Sequence, residues 1–207
     1  QVYNKEKDLK KTYTAVYNIS GNTLFQLADK EIPHLITADE GNAPIALLST
    51  NQPYATEQMW EGRSRYDIYT VNLQTGERQQ IKKASNSNMQ LSPKGTYAYW
   101  YCAQDSSWYT YSLANGKEYR LTTPATFTAW DEDNDVPDYP SPHGLAGWTA
   151  DDRNLLIYDR YDIWKFDPTA EVAPVNLTVN GRKEQLSYRL IRLDKEEKFI
   201  DITKSQL

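Results

Sequence analysis

The chain has 207 residues, which at roughly 150 residues per domain suffices for one domain or at most two small ones. Only 39% of the residues are apolar, yet there are 16 tyrosines, 6 tryptophans and 4 phenylalanines, so aromatic rings must supply much of the core, which favours strands. The net charge is −5 and no basic cluster is larger than a pair, so we do not expect a nucleic-acid partner. No apolar stretch reaches the ~20 residues of a membrane-spanning helix, so we do not expect a membrane partner.

A repeat of about 40 residues organises the chain. Residues 67–77 align with residues 107–117, a third copy begins at Asp162 and a weaker one at Leu24. Each copy has a period-two strand, a polar or glycine-containing turn and a second short strand, which is the pattern of a β-hairpin. Four strands per ~40–45 residues is the period of a β-propeller blade.

The predicted strands, in chain order, form four units and part of a fifth. The first unit spans 12–38 (strands 13–19, 23–28, 33–37), the second 44–83 (45–49, 67–73, 78–82), the third 88–123 (89–91, 96–103, 107–113, 118–122), the fourth 145–178 (145–148, 154–158, 161–167, 175–178) and the partial fifth 186–207 (188–193, 198–203). We therefore predict one all-β domain over 1–207, a partial β-propeller of about four blades with WD-like repeats. An open arc leaves strand edges exposed, which a homodimer could cover.

Two insertions, at 50–65 and 124–144, interrupt the repeat, and loops of this length are commonly functional. They supply our candidate substrate contacts, which are Trp60, Asp131, Asp133, Asp135, Asp138 and Tyr139. The alternate spacing of the first three aspartates resembles the start of a calcium loop, but the sixth and twelfth positions are Val136 and Pro142 instead of Gly and Glu. We predict no metal site and no cofactor, and we expect these carboxylates to be solvated or paired with Arg153 or Arg160.

The sequence contains few groups suited to catalysis. Cys102 is the only cysteine and lies in an alternating strand, so we expect it to be structural. His34 and His143 are the only histidines, and no Gly-x-Ser-x-Gly elbow accompanies them. We expect no catalytic activity from this chain alone.

Several segments resemble a known family. The run 90–97 (QLSPKGTY), followed by 108–111 (WYTY) and 115–118 (NGKE), resembles the propeller repeat of prolyl oligopeptidase-family serine peptidases and of TolB-like proteins. The runs 130–140 (WDEDNDVPDYP), 147–149 (GWT) and 158–164 (YDRYDIW) more closely resemble large exported peptidases of this family from Bacteroidetes.

The resemblance implies a non-catalytic propeller that gates and selects peptide substrates for an α/β-hydrolase domain not present in these residues. The parent would be a periplasmic or otherwise exported serine peptidase, with the hydrolase domain and peptides as partners. Related dipeptidyl peptidases hold a free amino terminus with paired glutamates, but Glu196 and Glu197 align with a repeat turn, where we expect them to face solvent. Two alternatives stay open: a stand-alone TolB-like protein-binding propeller, and a glycan-binding or glycosidase propeller that uses Trp60 or Tyr139.

Overall fold

A computed structural model describes residues 9–194 and 196–204. The strands are β1 (Ala15–Asn18), β2 (Thr23–Gln26), β3 (His34–Ile36), β4 (Ile45–Thr50), β5 (Tyr66–Asn72), β6 (Arg78–Ser85), β7 (Gln90–Leu91), β8 (Tyr97–Cys102), β9 (Ser107–Ser112), β10 (Glu118–Arg120), β11 (Leu145–Thr149), β12 (Leu155–Tyr158), β13 (Ile163–Phe166), β14 (Val175–Asn176) and β15 (Phe199–Ile200). Two short helices accompany them, α1 (Ala55–Glu61) and α2 (Gly181–Glu184). None of the described helices has the length or apolarity needed to cross a bilayer.

The strands form a hairpin and three larger sheets. The hairpin is β1-β2, the second sheet is β3-β4-β5-β6, the third is β7-β8-β9-β10 and the fourth is β14-β13-β12-β11-β15. Sequence-adjacent strands within each sheet are antiparallel, as in the blades of a propeller. The all-β partial propeller predicted from the sequence is confirmed.

The cores lie between successive sheets, because neighbouring residues of a strand point to opposite faces. In β4, Leu48 packs towards the hairpin whereas Leu47 packs towards the third sheet. In β12, Leu155 and Ile157 pack towards the third sheet, and Leu156 lies on the opposite face. These inner strands therefore read as continuous apolar runs, since both faces are covered.

A buried polar residue at the start of the third strand explains part of the repeat. Asp67, Ser107 and Asp162 occupy this aligned position and are all buried. The Asp67 carboxylate accepts a hydrogen bond from the Ala84 amide (2.9 Å), and the Ser107 hydroxyl accepts one from Arg120 Nε (3.2 Å). Each side chain thus fixes the end of the outer strand or the chain just beyond it.

Asp162 plays the same part in the fourth sheet. Its carboxylate accepts hydrogen bonds from the Thr178 hydroxyl (2.6 Å) and the Gly181 amide (3.0 Å). Burial alone would raise the pKa of Asp162, but these hydrogen bonds outweigh it and hold the pKa below its usual value. The charged form therefore stabilises the end of this hairpin.

The last strand predicted for the first unit forms, but it belongs to the second sheet. The segment predicted at 33–37 is β3, which pairs with β4 (Leu35 opposite Leu48) and begins the second sheet. The reason is the turn before it, where the Asp29 carboxylate accepts the Ile32 amide (2.8 Å) and pairs with Arg78 of β6 (2.5 Å). This turn directs the chain away from the hairpin, so the weak repeat copy at Leu24 is not equivalent to the others.

Of the two strands predicted for a fifth unit, only the second, at 198–203, is found, as β15. No strand forms within 188–193, and β15 joins the fourth sheet beside β11, to which it is parallel. Hydrogen bonds tie this segment to the fourth sheet, from the Leu190 amide to the Tyr158 hydroxyl (3.0 Å) and from Arg192 Nη2 to the Ala146 carbonyl (3.1 Å). Lys195 and residues 205–207 of the predicted unit lie outside the described residues.

Candidate functional site

Both insertions leave the same end of the sheets. In a sheet of sequential antiparallel strands, alternate connections share an end. The β4–β5 connection, which contains the first insertion, therefore shares its end with the β6–β7 connection, the β8–β9 turn and the connection from β10 to β11. The last of these contains the second insertion, so the fold brings together segments that are far apart in sequence.

The first insertion is a fixed structure rather than an open loop. Helix α1 is preceded by a 3-10 turn (Gln52–Tyr54), and the Tyr54 hydroxyl donates a hydrogen bond to the buried Asp67 carboxylate (2.6 Å). Arg65 pairs with Glu57 (3.2 Å) and Glu61 (2.9 Å) on the helix. The helix ends at Gly62 with φ of +68°, a left-handed conformation that favours glycine and turns the chain into Arg63.

Helix α1 also presents apolar side chains to solvent. Met59 and Trp60 are 85% and 86% exposed.

The second insertion is closed at its base by backbone hydrogen bonds. The Asp131 amide donates to the Ser141 carbonyl (2.8 Å), and the His143 amide donates to the Ala129 carbonyl (2.9 Å). At the tip, the Asp138 carboxylate accepts the Tyr139 amide (2.7 Å). Burial lowers the pKa of the half-buried His143, and the charge of Arg189 adds to the effect, so its ring is favoured in the neutral form.

The acidic residues of the second insertion have different partners. Asp133 forms a two-pronged pair with Arg160 (2.8 Å for each contact), whereas Asp131 accepts the Asp133 amide (3.1 Å). Asp135 is exposed and has no ion pair within the described residues. Within residues 9–194 and 196–204, no group of three acidic, histidine or cysteine side chains is placed to hold a metal ion. Of the two arginines predicted to pair with these aspartates, Arg160 does so through Asp133, whereas Arg153 pairs with Asp151 (3.6 Å).

The two insertions meet through Arg63. Its Nη2 pairs with the Asp138 carboxylate, and its guanidinium carbon lies 4.3 Å from the ring centroid of Tyr139. Both the ion pair and the cation–π contact join the first insertion to the tip of the second. This junction closes one side of an open cleft.

The cleft has a volume of about 360 Å³. Its lining comes from both insertions, the start of β5, the β6–β7 connection and the β8–β9 turn. The lining residues are Arg63, Ser64, Tyr66, Asn86, Ser87, Asn88, Ala103, Gln104, Asp138 and Tyr139. Of the residues predicted as contacts, Asp138 and Tyr139 line this cleft. Trp60, Asp131, Asp133 and Asp135 do not line it.

Sequence reasoning missed Arg63, Asn86 and Gln104. The signal that could have found them is the register of the repeat, because the turns that carry Asn86 and Gln104 leave the sheets at the same end as the insertions. The side-chain amide of Asn86 donates a hydrogen bond to Gln104 Oε1 (2.7 Å), which links the two turns in the wall of the cleft.

The remaining sequence candidates lie elsewhere. His34 is exposed in β3, and Glu196 and Glu197 are exposed on a turn, as predicted. Cys102 is half-buried in β8, and burial raises the pKa of its thiol, which disfavours the reactive thiolate. These groups contribute nothing to the cleft.

Comparisons with known proteins give likenesses in structure only. No family model matches the chain, and no curated protein matches it. TolB from Acinetobacter baumannii is 14% identical, with a TM-score of 0.41 over 81% of this chain and 38% of that one. A putative TolB from Agrobacterium tumefaciens is 15% identical, with a TM-score of 0.42 over 75% of this chain and 50% of that one. An oligogalacturonate lyase in complex with manganese is 15% identical, with a TM-score of 0.37 over 69% of this chain and 36% of that one. The chain thus spans half or less of the length of these structures.

Proposed function

We propose that this chain is a non-catalytic propeller segment that binds peptides and that, in its parent protein, it selects peptide substrates for an α/β-hydrolase domain of the prolyl oligopeptidase type. The observation that supports this proposal is the cleft of about 360 Å³ formed where the two insertions meet. Its volume suits a few amino-acid residues, and it opens at the end of the sheets from which the long connections leave.

The chemistry of the walls suits a peptide. A peptide main chain presents both hydrogen-bond donors and acceptors, which the side-chain oxygen of Asn86 and the side-chain N–H groups of Asn88 and Gln104 can pair with. Tyr66 and Tyr139 add aromatic surface for apolar side chains of the ligand. The exposed Met59 and Trp60 lie on the same insertion as Arg63 and offer a contact for the hydrolase domain.

The family resemblance supports the part of the proposal that concerns a parent serine peptidase. Its most distinctive segment, 130–140, builds most of the second insertion, including the cleft residues Asp138 and Tyr139. We also propose, from the same resemblance, that the parent protein is exported.

A parent reading frame that encodes Gly-x-Ser-x-Gly followed by Asp and His would support the peptidase assignment. A reading frame that ends near Leu207 would instead favour a stand-alone protein-binding propeller of the TolB kind.

The purified chain is expected to leave a proline-containing chromogenic dipeptide uncleaved, because its sequence supplies no nucleophile elbow. The measurement is release of the chromophore over hours at high protein concentration. A matched incubation with a serine-directed inhibitor shows whether any turnover depends on a serine nucleophile. Turnover that copurifies with the chain and is abolished by the inhibitor would contradict the proposal.

A glycan-binding function is less well supported by the geometry. Arg63 covers one face of the Tyr139 ring, and Trp60 lies outside the cleft, so the two rings do not form a common stacking platform. Saturable binding of an oligosaccharide that is lost in both Trp60→Ala and Tyr139→Ala would favour that alternative.

A further inference from the structure

The cleft has spare hydrogen-bond donors. The guanidinium of Arg63 carries five N–H groups, and within the described residues it forms one ion pair, through Nη2 to Asp138. The side-chain N–H groups of Asn88 and Gln104 and the hydroxyl of Ser64 also donate to no described residue, although all three line the cleft.

Several of the side-chain acceptors in the cleft are already occupied. Gln104 Oε1 accepts the Asn86 amide (2.7 Å), and Asn88 Oδ1 accepts the Met89 backbone amide (2.9 Å). Asp138 Oδ1 accepts both Arg63 and the Tyr139 amide, whereas Asp138 Oδ2 and Asn86 Oδ1 accept from no described residue and are fewer than the free N–H groups of Arg63, Asn88 and Gln104. The cleft therefore offers more donors than acceptors to a ligand, which is the arrangement that recognises an acceptor-only group.

Arg63 is already held in place for such a group. Gly62 directs the chain into it, the Tyr139 ring supports its planar face at 4.3 Å, and Asp138 holds one of its terminal nitrogens. A guanidinium fixed in this way retains a second edge for a two-pronged contact with a carboxylate. The Arg63 side chain is 45% exposed and lines the cleft, so a ligand in the cleft can reach it.

We infer that the cleft binds a carboxylate of a peptide, with Arg63 as its principal partner and Ser64, Asn88 and Gln104 as supporting donors. This inference rests on the proposed peptide-binding function and names the ligand group that the cleft selects. A carboxylate can come from the C-terminus of a peptide or from an aspartate or glutamate side chain, and both sources offer the same two oxygens. Asp138 serves as a positioning residue, since it acts on the ligand through Arg63.

The test uses the whole chain and three peptides that share one proline-containing apolar sequence. The first has a free C-terminal carboxylate, the second is C-terminally amidated and carries one glutamate, and the third is amidated and neutral. Titration calorimetry should show that the first or the second binds at least about tenfold more tightly than the third, as expected for a charge-assisted contact. The peptide that binds more tightly identifies the source of the carboxylate.

The preference should disappear in Arg63→Gln. Arg65→Gln is the matched control, because it removes the same charge two residues away from a side chain that pairs with Glu57 and Glu61 and does not line the cleft. Arg63→Lys keeps the charge but loses the planar fork, so it should lose most of the preference as well. It also tests the inference if Arg63→Gln fails to fold.

Three results would overturn the inference. If all three peptides bind alike, or if the preference survives in the Arg63 variants, the carboxylate is not recognised as inferred, although peptide binding stands. If none of the peptides binds, the proposed peptide-binding function fails together with this inference.

Discussion

Replacing Trp148 with alanine is expected to lower the free energy of unfolding by about 3–5 kcal/mol. Trp148 is 2% exposed and lies in the core between the third and fourth sheets. Its ring stacks on Tyr97 (centroids 5.8 Å apart, planes 9° apart) and meets the edge of Tyr99 at 5.5 Å. The substitution removes these contacts and leaves a cavity that the two sheets cannot close without moving towards each other.

Urea denaturation followed by circular dichroism measures this effect. Trp60→Ala is the matched control, since it makes the same substitution at a side chain that is 86% exposed, and it should change stability by no more than about 0.5 kcal/mol. Equal losses in the two variants would contradict the packing of the third sheet on the fourth.

Asp152→Ala is expected to lower the free energy of unfolding by about 2–4 kcal/mol. Asp152 belongs to the 3-10 turn Ala150–Asp152 before β12, is 1% exposed and reaches across to the corresponding turn of the third sheet. Its carboxylate accepts hydrogen bonds from the Ser92 hydroxyl (2.6 Å) and the Lys94 and Thr96 amides (3.1 and 3.2 Å). Removing the carboxylate would leave the buried Ser92 hydroxyl and two partly buried amides without this partner.

Asp151→Ala separates this effect from backbone strain. Asp151 and Asp152 share a left-handed backbone (φ of 57° and 55°), but the Asp151 side chain is 66% exposed. Both alanine variants therefore carry the conformational penalty, and the difference between their stabilities reports the buried hydrogen bonds. Asp152→Asn should lie between them. Equal destabilisation by the two alanine variants would show that the link between the sheets adds nothing.

The third sheet shows how much the sequence can predict. Its strands fall within the ranges predicted from alternation and turn chemistry, and β8 pairs with β9 along its whole length. The information is local here, because each strand pairs with its neighbour in sequence and the turns set the register. Gly116, with φ of +69°, occupies the turn of the predicted hairpin.

The errors arose where the partner of a strand depends on a contact distant in sequence. The placement of β3 depends on the pairing of Asp29 with Arg78, and that of β15 depends on side chains that reach the fourth sheet from the segment before it. A short strand carries the same period-two pattern whichever sheet it joins. Alternation therefore predicted a strand at 33–37 but not the sheet to which it belongs.

The cleft illustrates the same limit for the site. Asp131 and Asp133 are candidates from the sequence because of their alternate spacing. In the structure, Asp131 accepts a backbone amide within a turn and Asp133 pairs with Arg160. The contact that shapes the cleft joins Arg63 to Asp138, 75 positions later in the chain, and no local pattern signals it. Only the fold places the two insertions at the same end of the sheets.

Chemical-shift mapping of the backbone amides, with the isotopically labelled chain titrated with the carboxylate-bearing peptides, tests the proposed peptide site most directly. We predict saturable shifts that are largest at 63–66, 86–88, 103–104 and 138–139, the segments that line the cleft. One competing surface is an apolar pocket of about 250 Å³ on the outward face of the fourth sheet, lined in part by Leu156, Ile163 and Ile200. Shifts centred on that pocket, or no saturable shifts at all, would contradict the assignment of the cleft as the peptide-binding site.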